Sequence, residues 1–102
     1  DWGTIEPVLA KLKEEIAELE EAIAQGEAKE IEHELGDVLF ASVNLARHVQ
    51  VEPEIALRGC NARFEARFRF IEKQLRNEET EFKDKSLEEL DHLWDLAKQS
   101  GL

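Results

Sequence analysis

Two pairs of carboxylates have a spacing that could hold a metal ion. Glu15 and Glu18 occur in the stretch EEIAELE, and Glu34 and Asp37 occur in the later stretch ELGD. Residues three apart lie on the same side of a helix, where like charges repel each other. A hard divalent cation such as Mg²⁺, with Mn²⁺ as a substitute, prefers carboxylate oxygens and would offset that repulsion. These four acids are therefore the candidate metal ligands.

The chain between the two pairs can bring them together. Gly26 lies midway between Glu18 and Glu34, and also midway between Glu15 and Asp37. If two helices reverse direction at Gly26, residues equidistant from it face each other. The sequence thus predicts four convergent carboxylates. An acidic, solvated helix face is the simpler alternative for such a charge run.

The elements that must position these acids are predicted to be four helices, because apolar residues recur at spacings of three and four. The first helix is expected to run from an N-cap at Thr4 to a stop at Gly26, the second over residues 28–50, and the third from Pro53 to Arg76. The fourth is short, begins with a Ser86/Glu89 capping box and ends near Gly101. Residues 77–85 read as a polar loop. The fold class is all-α.

The second helix is apolar around much of its circumference, which one neighbouring helix cannot bury. Its apolar residues are Val38, Leu39, Phe40, Val43, Leu45, Ala46 and Val49. Such a helix belongs in the middle of an assembly. We therefore expect an intertwined helical-bundle homodimer built around it, with a tetramer as a further option.

Composition narrows the functional classes. The 102 residues fit a single domain, and 24 acidic against 13 basic residues argue against nucleic acid or an anionic membrane as a partner. The single Cys60 forms no intrachain disulfide, which favours a cytoplasmic setting and a buried, unreactive thiol. The chain begins DWG and has no Met, so we expect a fragment of a longer polypeptide.

Other carboxylates in the chain suggest a second metal chemistry. Glu30-x-x-His33 and Glu89-x-x-His92 each resemble half of a ferritin-like di-iron motif. Helical projection places both imidazoles opposite apolar positions, so the rings are expected to face solvent. Di-iron chemistry is therefore disfavoured.

The acid pairs also carry a family resemblance. A Glu-x-x-Glu pair followed by a Glu-x-x-Asp pair, together with DVLFASVNLARH, NARFEARFR and ELDHLWDLAK, resembles the MazG-type nucleoside triphosphate pyrophosphohydrolases over nearly the whole chain. The resemblance implies Mg²⁺-dependent hydrolysis between the α and β phosphates, which gives a monophosphate and pyrophosphate. Many members carry two tandem domains, and this chain is similar to the second, catalytic copy.

The resemblance implies roles for the acids. Glu15, Glu18, Glu34 and Asp37 match the family's metal ligands, and one of them would also activate the attacking water. The choice between Glu15 and Glu18 as the catalytic base stays open at this point.

The same resemblance extends to the third and fourth helices. Arg63 and Arg67 match basic positions that contact phosphates in the family, although the first of these positions is often Lys. Alternatively, both are ordinary surface arginines whose side chains lie along a stripe of phenylalanines. Trp94 matches a tryptophan that helps to recognise the nucleotide, and core packing is its alternative.

Three further polar residues are candidates for substrate contacts. Lys11 shares a helix edge with Glu15, where it could meet a phosphate or pair with Glu15. Asn44 lies on the edge of Asp37 and could support a ligand or touch substrate. Asn61 could bind base or ribose, or could be a packing amide.

Two other functions remain as competitors. One is an acidic helical dimerisation module without catalysis, which would show no dependence on a metal ion. The other is hydrolysis of a different nucleotide pyrophosphate by a sister family, such as the phosphoribosyl-ATP pyrophosphatases. Metal titration separates the first from the leading hypothesis, and substrate profiling separates the second.

Overall fold

The computed structural model describes residues 5–102, which form four α-helices, one 3-10 helix and no β-strand. The elements are α1 (Ile5–Gln25), α2 (Ala28–His48), α3 (Pro53–Asn77), a 3-10 helix (Phe82–Asp84) and α4 (Leu87–Gln99). The predicted all-α class is confirmed. The predicted N-cap Thr4 lies outside the described residues. No helix within this range combines the length and apolarity needed to cross a bilayer.

The helix ends follow local chemistry. Gly26 adopts a φ of 77°, in the left-handed region that Gly tolerates, and stops α1 where the sequence predicted. The capping box of α4 is confirmed, because the Glu89 backbone N–H donates to Ser86 Oγ at 3.1 Å and the Ser86 N–H donates to Glu89 Oε1 at 2.9 Å. The α2 helix ends two residues before the predicted Gln50, which itself has a φ of 60° and turns the chain.

The predicted polar loop contains an element that the sequence pattern did not reveal. Residues Phe82–Asp84 form a 3-10 helix, and Phe82 packs against the buried cluster of Ile71, Leu75 and Leu93. A single aromatic residue among charged neighbours creates no periodic signal, so the sequence pattern predicted only a polar loop here.

The chain divides into two compact parts, Asp1–Ala56 and Leu57–Leu102, with the boundary inside α3. In the first part, α1 and α2 pack as a hairpin. Its buried residues are Glu15, Ala22 and Ala41, and the two small alanines allow the helices to approach closely. The apolar stripes of α1 and α2 remain half-buried or exposed, because a hairpin covers only one face of each helix.

The core of the second part lies between the C-terminal half of α3 and α4. Ile71, Leu75 and Leu93 are buried, and Phe70, Phe82, Leu90, Trp94 and Leu96 pack against them. The predicted burial of Cys60 is wrong for this chain, because Cys60 is exposed, as are Leu57, Phe64 and Phe68 on the same helix. With 13 residues against 25, α4 is about 20 Å long and cannot cover α3, which is about 38 Å long.

Candidate functional site

The hairpin brings three of the predicted acids into one cluster. Residues equidistant from Gly26 oppose each other, so that Glu18 on α1 meets Glu34 on α2. Glu15, Glu18 and Glu34 each offer a carboxylate oxygen, and these oxygens lie within 4.8 Å of one another. The helix register alone produces this convergence, since two successive turns of α1 face one turn of α2.

Asp37 joins the cluster through Glu34. Its Oδ2 lies 3.4 Å from His33 Nε2, and His33, Glu34 and Asp37 form a second group whose ligand atoms lie within 4.8 Å of one another. Helical projection predicted that His33 faces solvent, and its side chain is exposed. Projection gives the direction of Cβ but not the reach of a long side chain, so it missed this contact.

Burial makes the cluster costly without a partner. The Glu15 side chain is only 9% exposed, and Lys11 Nζ lies 3.0 Å from its Oε1. Within residues 5–102, Glu15 Oε2 and Glu34 Oε2 are buried without a hydrogen-bond partner. A carboxylate oxygen without a partner costs more free energy when it is buried than when it is exposed to water. A hard divalent cation would supply the missing partner, so these oxygens are suited to bind one.

The electrostatics of the cluster agree with its geometry. Repulsion by Glu15, followed by partial desolvation and a side-chain hydrogen bond to Glu15, raises the pKa of Glu18 above its ordinary value. A hydrogen bond to Glu15 also raises the pKa of Lys11. A cation bound to this cluster would favour the ionised form of Glu18.

A groove of about 390 Å³ adjoins the acids within the hairpin. Lys11 and Glu15 line it from α1, and Asp37, Ala41 and Asn44 line it from α2. Lys11 and Asn44 therefore lie beside the acids, as predicted from their helix edges. The salt bridge between Lys11 and Glu15, one of the two predicted roles of this lysine, is present.

A polar pocket of about 310 Å³ extends from Asn44 to Arg47 and His48 at the end of α2. Neither Arg47 nor His48 was predicted from the sequence to be a site residue. Basic residues in the last turn have an ordinary explanation, since they complement the helix dipole. The sequence feature that could have identified Arg47 and His48 is their spacing, since they follow Asn44 by three and four residues and therefore share its helix edge.

The remaining candidates lie in the second part of the chain. The Arg67 guanidinium lies 5.5 Å from the centroid of the Trp94 ring, so these two residues are in contact. Arg63 is exposed on α3, one turn after Gly59. Asn61 is also exposed, so the alternative of a packing amide is wrong for the single chain.

Comparison with known proteins gives consistent matches. Residues 3–69 match the model of the MazG nucleotide pyrophosphohydrolase domain. The nucleoside triphosphate pyrophosphohydrolase of Escherichia coli (strain K12) is 41% identical over 104 residues, which cover 100% of this chain and 40% of that protein. The nucleoside triphosphate pyrophosphohydrolase/pyrophosphatase MazG of Thermotoga maritima is 39% identical over 98 residues, which cover 96% of this chain and 37% of that protein.

A third relative matches a shorter segment. The YabN protein of Bacillus subtilis is 48% identical over 67 residues, which cover 66% of this chain and 14% of that protein. The chain thus spans about two fifths of the length of the Escherichia coli and Thermotoga maritima relatives. The segment matched by the domain model contains the whole acid cluster and both arginines, whereas α4 lies beyond it.

Proposed function

Because the chain belongs to the MazG nucleotide pyrophosphohydrolase domain family, we propose that it hydrolyses nucleoside triphosphates to nucleoside monophosphates and pyrophosphate. One observation carries the proposal beyond the family match. Glu15 is buried beside Glu18 and Glu34, and Glu15 and Glu34 each have a buried oxygen without a hydrogen-bond partner, which a merely solvated acidic face would not have.

Glu15, Glu18, Glu34 and Asp37 are the residues that would hold Mg²⁺, or Mn²⁺ in its place. Their oxygens are the donors that such ions prefer. When bound, the cation supplies positive charge to the triphosphate oxygens and polarises the phosphoryl group under attack. His33 borders this set and donates through nitrogen, a ligand better suited to transition metals than to Mg²⁺.

We assign the general base to Glu18. Glu15 is buried and already forms a salt bridge with Lys11, whereas Glu18 is exposed to solvent, from which the attacking water comes. Attack of that water at the α-phosphate breaks the bond to the bridging oxygen, and pyrophosphate leaves.

Substrate contacts are proposed on both helices of the groove and on α3. Lys11 pairs with Glu15 in this structure, and with a cation on the acids it would be free to pair with a phosphate oxygen. Asn44 faces the same groove and contacts the sugar or a phosphate. Arg63 and Arg67 supply further positive charge to the triphosphate, and Asn61 offers an amide to the nucleoside.

A homodimer would cover the apolar surface that the single chain exposes. Leu39 and Phe40 on α2 are 59% and 76% exposed, and Val43 lies on the same helix with nearly half its surface in solvent. A contiguous patch of this kind on a helix is typical of a protein interface. We propose that α2 of one copy packs against a second copy, and pairing into a tetramer remains a further stage of that proposal.

Isotope-labelled water tests the reaction directly. In H₂¹⁸O with Mg²⁺, attack at the α-phosphate places the label in the nucleoside monophosphate and leaves pyrophosphate unlabelled, which ³¹P NMR and mass spectrometry distinguish. Formation of the diphosphate with labelled orthophosphate would contradict the proposal. Including phosphoribosyl-ATP among the substrates separates the proposed activity from that of the sister family. Glu34→Gln should abolish turnover, and Glu32→Gln, an exposed change on the same helix, is the matched control.

A further inference from the structure

His33 brings a nitrogen donor to one edge of the acid cluster. Its Nε2 lies 3.4 Å from Oδ2 of Asp37, one helical turn further along α2. His33, Glu34 and Asp37 each offer one ligand atom, and these three atoms lie within 4.8 Å of one another. In a tetrahedral shell with metal–ligand bonds of about 2.1 Å, neighbouring ligand atoms are about 3.4 Å apart. The three side chains therefore need only small rotations to surround one ion.

A surface pair of His33 and Asp37 does not explain the whole arrangement. Their side chains are 67% and 45% exposed, and an ion pair so exposed contributes little to stability. Glu34 belongs to the same group, and its Oε2 is buried without a hydrogen-bond partner among residues 5–102. A buried oxygen of this kind needs a partner that the surface pair does not supply. A cation bound between the three residues would bring one to the Glu34 carboxylate.

Sequence spacing alone does not produce such a group. His92 follows Glu88 on α4 at the same spacing of four residues, and both are exposed. Within the described part of the chain, neither His92 nor His48 belongs to a group of three ligand atoms. Among residues 5–102, His33 is thus the imidazole that is placed for metal binding, and His92 can serve as its control.

The donor set of this group selects a class of ion. Imidazole nitrogen binds Zn²⁺ and other first-row transition metals well, whereas Mg²⁺ requires oxygen ligands in an octahedral shell. One imidazole and two carboxylates supply three protein ligands and leave a position for water, as in open zinc sites. The neighbouring cluster of Glu15, Glu18 and Glu34 offers oxygen alone. The two groups therefore differ in the metal that they favour.

We propose that His33, Glu34 and Asp37 form a second metal position that binds Zn²⁺ in preference to Mg²⁺. The binding depends only on these residues, whereas its effect on catalysis rests on the proposed function. Glu34 and Asp37 are also proposed ligands of the catalytic Mg²⁺, and they cannot complete both coordination shells at once. Zn²⁺ held by His33 therefore withdraws two carboxylates from the Mg²⁺ site and inhibits hydrolysis.

Calorimetric titration of the tag-free protein with Zn²⁺ tests the site without reference to activity. A Cys60→Ser background removes the exposed thiol, which could bind zinc itself. In this background, His33→Ala should weaken Zn²⁺ binding at least about tenfold and change Mg²⁺ binding by less than about twofold, because only the nitrogen ligand is lost. His92→Ala should change neither. Equal Zn²⁺ affinity in the two variants, or no saturable Zn²⁺ site in the parent protein, would overturn the inference.

Crystals soaked in Zn²⁺ identify the ligands directly. We expect an anomalous peak at the zinc edge within about 2.0–2.2 Å of His33 Nε2 and of oxygens from Glu34 and Asp37. A peak bound only by Glu15, Glu18 and Glu34 would overturn the assignment, because oxygen ligands alone would then hold the zinc.

Inhibition connects this site to the reaction. With triphosphate, saturating Mg²⁺ and free Zn²⁺ set by a metal buffer, Zn²⁺ should inhibit the Cys60→Ser protein, and His33→Ala should need at least about tenfold more Zn²⁺ for the same inhibition. If no triphosphate is turned over, the proposed function fails, while calorimetry and the crystal still decide the zinc site. An active enzyme in which His33→Ala leaves zinc affinity and zinc inhibition unchanged would overturn this inference alone.

Discussion

Glu18 on α1 and Glu34 on α2 are equidistant from Gly26 and place carboxylate oxygens within 4.8 Å of each other and of Glu15. The fold therefore holds three negative charges close together before any ligand arrives. That repulsion opposes folding of the cation-free protein and favours binding of a divalent cation. The same three carboxylates therefore destabilise the free protein and form the proposed active site.

Loss of one ligand should remove both turnover and stabilisation by metal. For Glu34→Gln we expect a fall in kcat/KM of more than about 100-fold, because the remaining carboxylates no longer form a complete site. Thermal melts with and without Mg²⁺ provide the second readout. Mg²⁺ at about 100 times its dissociation constant should stabilise wild type by about 2.7 kcal/mol and the variant by much less. An equal shift in Glu34→Gln and Glu32→Gln would argue against the site.

The stability of the cation-free protein should depend on pH through Glu18. Its pKa is raised above 4.5 in the folded state, chiefly by Glu15, so the folded protein binds more protons than the unfolded chain above pH 4.5. Stability therefore falls as pH rises through the window between 4.5 and the raised value. In EDTA, Glu18→Gln should flatten this slope and raise Tm at pH values above that window, whereas Glu20→Gln should do neither. The same slope in Glu18→Gln and wild type would contradict the linkage.

Much of the α1–α2 hairpin could be predicted from sequence because its determinants are local. The periodicity of apolar residues, the glycine at the turn and the equal spacing of Glu18 and Glu34 about Gly26 all act within one supersecondary unit. The Ser86/Glu89 capping box is local in the same sense. Such features depend on backbone geometry that is the same in every helix.

The rest depended on contacts between distant segments. Burial of Cys60 could not be judged from the α3 stripe, because the short length of α4 decides which half of α3 is covered. The packing of Phe82 required the fold of the segment between α3 and α4. The reach of His33 to Asp37 depends on a rotamer, and the contact between Arg67 and Trp94 depends on how α3 packs against α4.

The turn residues should show opposite responses to substitution. Gly26→Ala places a Cβ in the left-handed region at φ 77° and should destabilise the protein by about 1–2 kcal/mol. Gln50→Gly relieves the same strain at φ 60° after α2 and should stabilise by about 0.5–1 kcal/mol. Urea denaturation measures both. A neutral Gly26→Ala would mean that the hairpin does not depend on this turn.

The core of the second part should respond to burial. Leu75 is 2% exposed, so Leu75→Ala should cost about 2–5 kcal/mol through lost contacts and the cavity that remains. Leu87 is 77% exposed, and Leu87→Ala should change stability by less than about 0.5 kcal/mol. The midpoint of urea unfolding gives both values. Similar losses at the two sites would show that Leu87 is buried in an assembly.

Sedimentation velocity tests the proposed homodimer. Wild type should sediment as a dimer or a larger symmetric assembly, and Leu39→Glu should dissociate it, because a buried unpaired carboxylate in an apolar interface is strongly unfavourable. Lys29→Glu, on the same helix, is the matched charge change at a polar exposed position. A monomeric wild type at all concentrations would contradict the proposal.

A crystal grown with Mn²⁺ tests the central claim most directly, because the anomalous signal identifies the ion without reference to any model of the reaction. We predict a peak within about 2.0–2.4 Å of oxygens from Glu15, Glu18 and Glu34. Glu34→Gln crystals treated in the same way should lose it. A map with the three side chains still clustered and no anomalous peak between them, at saturating Mn²⁺, would contradict the account.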